Sequence, residues 1–167
     1  MKRLILIGGP MGVGKTTVGR ELQRRLPRCA FLDGDWCWDM RPFVVNEETK
    51  AMVMDNIHHI LNGFLRCDAV ENIVFCWVMH EQGIIDAILA GLALENAEVR
   101  AVSLIADAEA LAARIRGDVA RGVRQPDVLE RSLGYLPKYA ELDAVKIDTG
   151  RMSAAEAALK IAKLLRE

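Results

Sequence analysis

The sequence predicts an α/β fold built around a five-stranded parallel sheet. Three observations carry this reading. Short aliphatic runs, apolar on both faces, alternate with segments of helical periodicity along the chain. The first run opens directly into a glycine-rich turn and a helix. The 167 residues suit one domain with a sizeable core, and no repeat, low-complexity tract or linker divides them, so residues 1–167 are expected to form a single domain.

The elements follow in order. Leu4 to Ile7 is a buried strand closed by Gly8-Gly9. Lys15 to Leu26 is helical, with Val18, Leu22 and Leu26 on one face and Pro27 ending it. Cys29 to Leu32 is a second strand, and Asp33 to Val45 is a loop rich in Asp, Trp, Arg and Pro. Glu47 to Phe64 is a long helix with Asn46 as its cap and two acids in its first turn. Asn72 to Met79 is the third strand, Gly83 to Leu94 a helix, and Val99 to Ile105 the fourth strand. Asp107 caps a helix that runs toward Gly117 or Gly122. Pro126 to Tyr139 is helical with a kink near Pro137, Ala144 to Ile147 is the fifth strand, and Ser153 to Leu165 is the last helix.

The turn after the first strand, Gly9-Pro10-Met11-Gly12-Val13-Gly14-Lys15-Thr16, fits the pattern G-x-x-x-x-G-K-[ST]. Glycines at 9, 12 and 14 let the backbone wrap closely with positive φ. Successive amides, through Val13 to Thr17, then point inward as an anion nest at the start of a helix. Lys15 reaches the β- and γ-phosphates of a nucleoside triphosphate, and the Thr16 hydroxyl suits Mg²⁺. A random chain of this length matches the pattern about once in 200 when glycine is about 7% of residues. Here the motif also lies between a strand and a helix, as its mechanism requires.

Phe31-Leu32-Asp33-Gly34-Asp35 puts two carboxylates at the end of the second strand, where ligands gather in parallel sheets. Two apart in extended chain, Asp33 and Asp35 can point to one side, toward the γ-phosphate. The third strand ends Trp77-Val78-Met79-His80-Glu81, with no Asp, and no N-K-x-D signature is present. Both absences argue against a motor or switch NTPase.

Met11 to Leu22 resembles the P-loop and first helix of shikimate kinases. Phe31 to Asp35 resembles the D-x-D segment of shikimate and gluconate kinases and is closest to the gluconate version. The resemblance implies a three-layer α/β/α P-loop NTPase fold with sheet order 2-3-1-4-5, and ATP as the phosphoryl donor. It implies that Thr16 binds Mg²⁺, that Asp33 holds the ion through water, and that Asp35 contacts the acceptor hydroxyl and serves as a base. It also implies a lid over roughly residues 114–128. The spacing from Arg114 to Arg121 is similar to that of two shikimate-kinase arginines. Arg114 is therefore expected to pack on adenine and Arg121 to close over the phosphates, with Arg124 beside them and Gly117 and Gly122 as hinges. Asp148-Thr149-Gly150 either borders the adenine or is a plain turn before the Ser153 cap.

On the acceptor side, Trp36 and Trp38 either wall a small-molecule pocket or anchor their loop to the core. Arg41 either grips an anionic acceptor or pairs with Asp39. His80, at the end of the third strand, is expected near the site, to bind or deprotonate the substrate. His58 and His59 are expected to be structural or solvated, and Trp77 to be core. Met79-His80-Glu81-Gln82 stands where shikimate kinases carry a glycine-rich turn, and Trp36-Cys37-Trp38 follows D-G-D in place of the gluconate-kinase histidine and arginines. The resemblance thus implies a reaction class and leaves the acceptor open.

Composition narrows the partners. Apolar residues make up 51%, charged residues 27%, and the formal net charge is −1, so no basic surplus calls for nucleic acid or an anionic membrane. No apolar run approaches the roughly 20 residues of a membrane span. The apolar stretch before the first glycines is too short for a signal-peptide core. Cys29, Cys37, Cys67 and Cys76 form no C-x-x-C pair and are read as reduced thiols. A cytoplasmic monomer or homodimer with a small-molecule acceptor is expected. The predicted activity is transfer of the γ-phosphoryl group of ATP to that acceptor. The alternatives are a nucleotide or nucleoside kinase, an antibiotic phosphotransferase, and an ATP-binding module or slow NTPase.

Overall fold

The computed structural model describes residues 1–166. At its centre, β1 (Lys2–Gly8) pairs in parallel with β3 (Asn72–Cys76) on one side and β4 (Ala97–Ile105) on the other. Outside β3 lies β2 (Cys29–Asp33), and outside β4 lies β5 (Val145–Asp148). The order is β2-β3-β1-β4-β5, all parallel, as the resemblance implied. Alternation along β1 divides the core into two layers. Ile5 and Ile7 join Val18 and Leu22 of α1 (Lys15–Arg25), Leu111 and Ile115 of α4 (Ala108–Ala120), and Ile161 of α6 (Ala154–Leu164). Leu4 and Leu6 face the opposite layer, with Val53, Ile57 and Leu61 of α2 (Glu47–Arg66) and Ile88 of α3 (Gln82–Ala90). A strand buried on both faces is what its unbroken aliphatic run predicts.

The expected caps are present. Asn46 accepts from the Thr49 amide in a reciprocal capping box, Asp107 accepts from Ala110, and Ser153 accepts from Glu156. Several boundaries differ from expectation for identifiable reasons. β3 stops at Cys76, three residues before the predicted Met79. The Trp77 amide still donates to Ile7 O at 3.2 Å, but the Met79 amide turns back to Trp77 O at 3.1 Å, so the chain leaves the sheet. Met79 stays buried, under Gly8, and apolarity there records packing rather than pairing. The loop after β2 contains a 3₁₀ turn, Gly34–Trp38, started by the Asp35 amide donating to Asp33 Oδ1 at 3.1 Å. The segment expected as one kinked helix from Pro126 divides into α5 (Val128–Tyr135) and a 3₁₀ turn, Leu136–Glu141, with Pro137 in its first turn.

Gly19 sets how closely α1 approaches the sheet. A Cβ at this position would lie 2.5 Å from Cys76 Sγ and 2.7 Å from Phe31 Cε2. Gly19→Ala is therefore expected to destabilise the protein by about 1–3 kcal/mol through overpacking, against the usual helical preference for alanine. The urea midpoint of the purified variant measures this.

Among the described residues no helix is long and apolar enough to cross a membrane, and all four cysteines are free.

Candidate active site

The turn joining β1 to α1 holds Gly9, Gly12 and Gly14 at φ of 151°, 84° and 101°, conformations that side-chain-bearing residues rarely adopt. Gly14 caps α1 from a left-handed conformation and offers no side chain, so the first-turn amides are left for an external anion. From that turn the Lys15 ammonium folds back over the loop, donating to Gly9 O at 2.9 Å and Pro10 O at 3.0 Å. Burial lowers its pKa from 10.5 to about 8, with the Asp35 carboxylate the main opposing influence.

The two carboxylates after β2 converge on this loop. Asp33 is buried; its Oδ2 accepts from the Thr16 hydroxyl at 2.6 Å and its Oδ1 from the Asp35 amide. Burial, and then the charge on Asp33, raise the Asp35 pKa, while Lys15, Trp77 and Arg124 act in the other direction. One hydroxyl and one carboxylate form a hard-oxygen donor pair that fits Mg²⁺, an ion that takes its other ligands from phosphate and water. Among the described residues no group of three or more His, Cys, Asp or Glu is arranged to hold a metal unaided.

On the other side of the loop, a cleft of about 260 Å³ is lined by Gly12 to Gly14, Thr17, Arg114 and Thr149, among others. Arg114 braces it, donating to Val13 O at 3.3 Å, to Thr149 Oγ1 at 3.3 Å and to Thr149 O at 2.5 Å. Thr149 is buried and tied to Ile105 O by its amide at 2.8 Å, so the turn after β5 lies beside the loop through Arg114, and Ser153 caps the helix that follows.

Arg121 and Arg124, the arginines expected in a lid, are arranged differently from each other. Arg121, just past the end of α4, is 69% exposed at its side chain and pairs with Asp118 at 2.6 Å. Arg124 pairs with the other oxygen of Asp118 at 2.8 Å, and its charge acts on both Lys15 and Asp35. Gly122, at φ 71°, makes the turn between them.

The tryptophans also diverge. Trp36 packs edge-on to Phe31, with the Arg20 guanidinium 4.0 Å from the Phe31 ring and 5.2 Å from its own. Trp38 turns toward Phe43 and, with Asp35, Asp39, Met40 and Phe43, lines a recess of about 450 Å³. Arg41 is exposed and does not line that recess. Neither Arg41 nor Asp39 makes an ion pair among the described residues. His80 stacks on Tyr135 of α5, with ring centroids 4.0 Å apart, and burial lowers its pKa. His58 contacts the carbonyls of Ala87 and Ile88, which is the structural role expected of it.

Two site residues carry no sequence pattern of their own. Ser132, fully buried in α5, donates to Met11 O at 2.6 Å and ties that helix to the phosphate loop. Asp118 holds both lid arginines; its placement three residues before Arg121 on a helix was the available signal.

Comparison with known proteins agrees with this geometry. Residues 5–132 match the family model described as an AAA domain. A shikimate kinase of Vibrio cholerae is 31% identical over 181 residues, covering 99% of this chain and 97% of that protein. A crystal structure of a sugar kinase from a Janibacter species superposes with a TM-score of 0.72 at 16% identity, covering 99% of this chain and 95% of that one. A gluconokinase from Sinorhizobium meliloti superposes with a TM-score of 0.68 at 19% identity, covering 97% and 94%. The chain belongs to the AAA-domain family of P-loop proteins and is a relative of the shikimate kinases.

Proposed function

We propose that the protein transfers the γ-phosphoryl group of ATP to a hydroxyl of a small molecule held beside Asp35. The observation that carries this reading is the convergence of three groups. A buried ammonium on the loop, the Thr16–Asp33 oxygen pair and the Asp35 carboxylate all sit at the carboxyl ends of β1 and β2. In this reading the loop amides and Lys15 bind the β- and γ-phosphates, and the cleft under Arg114 and Thr149 takes the adenine side of the nucleotide. Thr16 and Asp33 would hold Mg²⁺, and the ion would supply neutralisation of phosphate charge.

The acceptor oxygen attacks the γ-phosphorus, the bond from phosphorus to the β,γ-bridging oxygen breaks, and ADP leaves with that electron pair. The hydroxyl proton passes to Asp35, whose raised pKa makes it a better base than an ordinary carboxylate. Arg124, already felt electrically at Lys15 and Asp35, and Arg121 beyond it are the lid cations that neutralise the transferring group once Asp118 releases them. ADP release measured across a metabolite panel, with Lys15→Ala as the blank, tests the reading. A sharp rise with one acceptor is expected. A flat background with tight ATP retention identifies a binding module instead.

A further inference from the structure

The recess beside Asp35 has a chemistry that selects its occupant. Its volume of about 450 Å³ suits an organic molecule of drug-like size. Met40 and Phe43, in its wall, are exposed, and Val44 and Val45, which follow them in the chain, are exposed as well. A contiguous apolar surface of this kind marks a binding site more often than bare solvent contact. The aromatic pair Trp38–Phe43, with centroids 5.4 Å apart and planes tilted by 48°, forms one side. The wall is fastened in place: Trp38 Nε1 donates to Val44 O at 3.2 Å, Thr49 Oγ1 to the same carbonyl at 2.9 Å, and Asn56 Nδ2 to Cys37 O at 3.1 Å. Two of those three ties come from α2, so the rings are held before any ligand arrives.

The groups lining the recess carry one sign of charge, although Lys15 and Arg124 act on Asp35 from outside it. Asp35 and Asp39 are its only ionisable lining groups. Lys15 is bound to loop carbonyls and Arg124 to Asp118, and Arg41 does not line the recess. An anionic polyol would therefore meet two carboxylates and hydrocarbon, with few partners for its hydroxyls. A cation would meet the carboxylates beside two aromatic side chains.

Resting on the phosphotransferase reading above, we propose that the acceptor is a hydroxyl compound with an apolar, aromatic body and a positively charged amino group, seated against Trp38, Phe43 and Asp39 with its hydroxyl toward Asp35. This separates its acceptor from a polyhydroxylated carboxylate.

The test uses two matched probes, phenylalaninol (an aromatic amino alcohol) and 3-phenyllactate (an aromatic hydroxy acid). Binding is followed by tryptophan fluorescence with ADP and Mg²⁺ present, and transfer by ADP release from ATP. Phenylalaninol is expected to bind about tenfold or more tightly than 3-phenyllactate. Phe43→Ala should weaken phenylalaninol binding, and Asp39→Asn should shrink the ratio between the probes. Equal binding, or preference for the hydroxy acid, overturns the acceptor class whether or not transfer occurs. Selective binding of phenylalaninol by a protein that transfers to no acceptor in the panel supports the recess chemistry and rejects the kinase reading.

Discussion

Lys15→Ala is expected to lower kcat/KM for ATP-dependent transfer by about 10³-fold or more, while the fold survives. The ammonium is held over the phosphate loop by Gly9 O and Pro10 O, whereas Arg114 reaches the loop at Val13 O and Arg121 and Arg124 are bound to Asp118. Loss of two hydrogen bonds to Gly9 O and Pro10 O is offset by removal of a buried charge. The same residue supplies a pH signature. In the folded protein its pKa is lowered to about 8, below the 10.5 of the unfolded chain. Between those values the unfolded state binds more protons, so stability rises with pH across that window and the Lys15 contribution is absent from the alanine variant. Nucleotide phosphates restore the charge. At about pH 8.5, ATP binding should be accompanied by proton uptake, visible as a buffer-dependent binding enthalpy in calorimetry. Binding without uptake in the parent protein would refute the placement of the phosphates on Lys15.

Asp35→Asn is expected to leave ATP affinity nearly unchanged and to reduce turnover by about 10²–10³-fold. Asp33, not Asp35, is engaged with Thr16 and the chain, so removing the Asp35 charge spares the metal-side pair. The parent enzyme should lose activity as pH falls through the raised pKa of Asp35, since only the ionised carboxylate accepts a proton. That acid limb should vanish in the asparagine variant. Steady-state kinetics across pH, with nucleotide affinity measured separately, distinguishes this from a defect in ATP binding. Normal turnover would remove Asp35 from the acceptor.

Much of the fold was legible because its signals are local. Aliphatic runs without alternation marked the strands, and a glycine-rich turn between a strand and a helix marked the phosphate loop. The carboxyl ends of β1 and β2 bring Lys15, Thr16, Asp33 and Asp35 together, as their positions after those strands implied. What stayed hidden depends on distant packing. Trp77 to Met79 read as strand because hydrophobicity reports burial and not ladder bonding. The divergence of Trp36 and Trp38 follows from a 3₁₀ turn whose start is a side-chain hydrogen bond from one residue pair. The different settings of Arg121 and Arg124 depend on Asp118, and Ser132 meets Met11 across 121 positions of sequence, where no periodicity connects them.

Gly34 separates the two acids, and its backbone lies so close to the Trp77 indole that no β-carbon fits between them. The span from Asp33 to Asp35 is consequently gauged by an aromatic ring that also acts on the Asp35 carboxylate. Volume added at residue 34 would reset the distance between the two carboxylates, and volume taken from residue 77 would also remove the indole's influence on Asp35. Reaction geometry in this enzyme is thereby calibrated from beneath the site as well as within it.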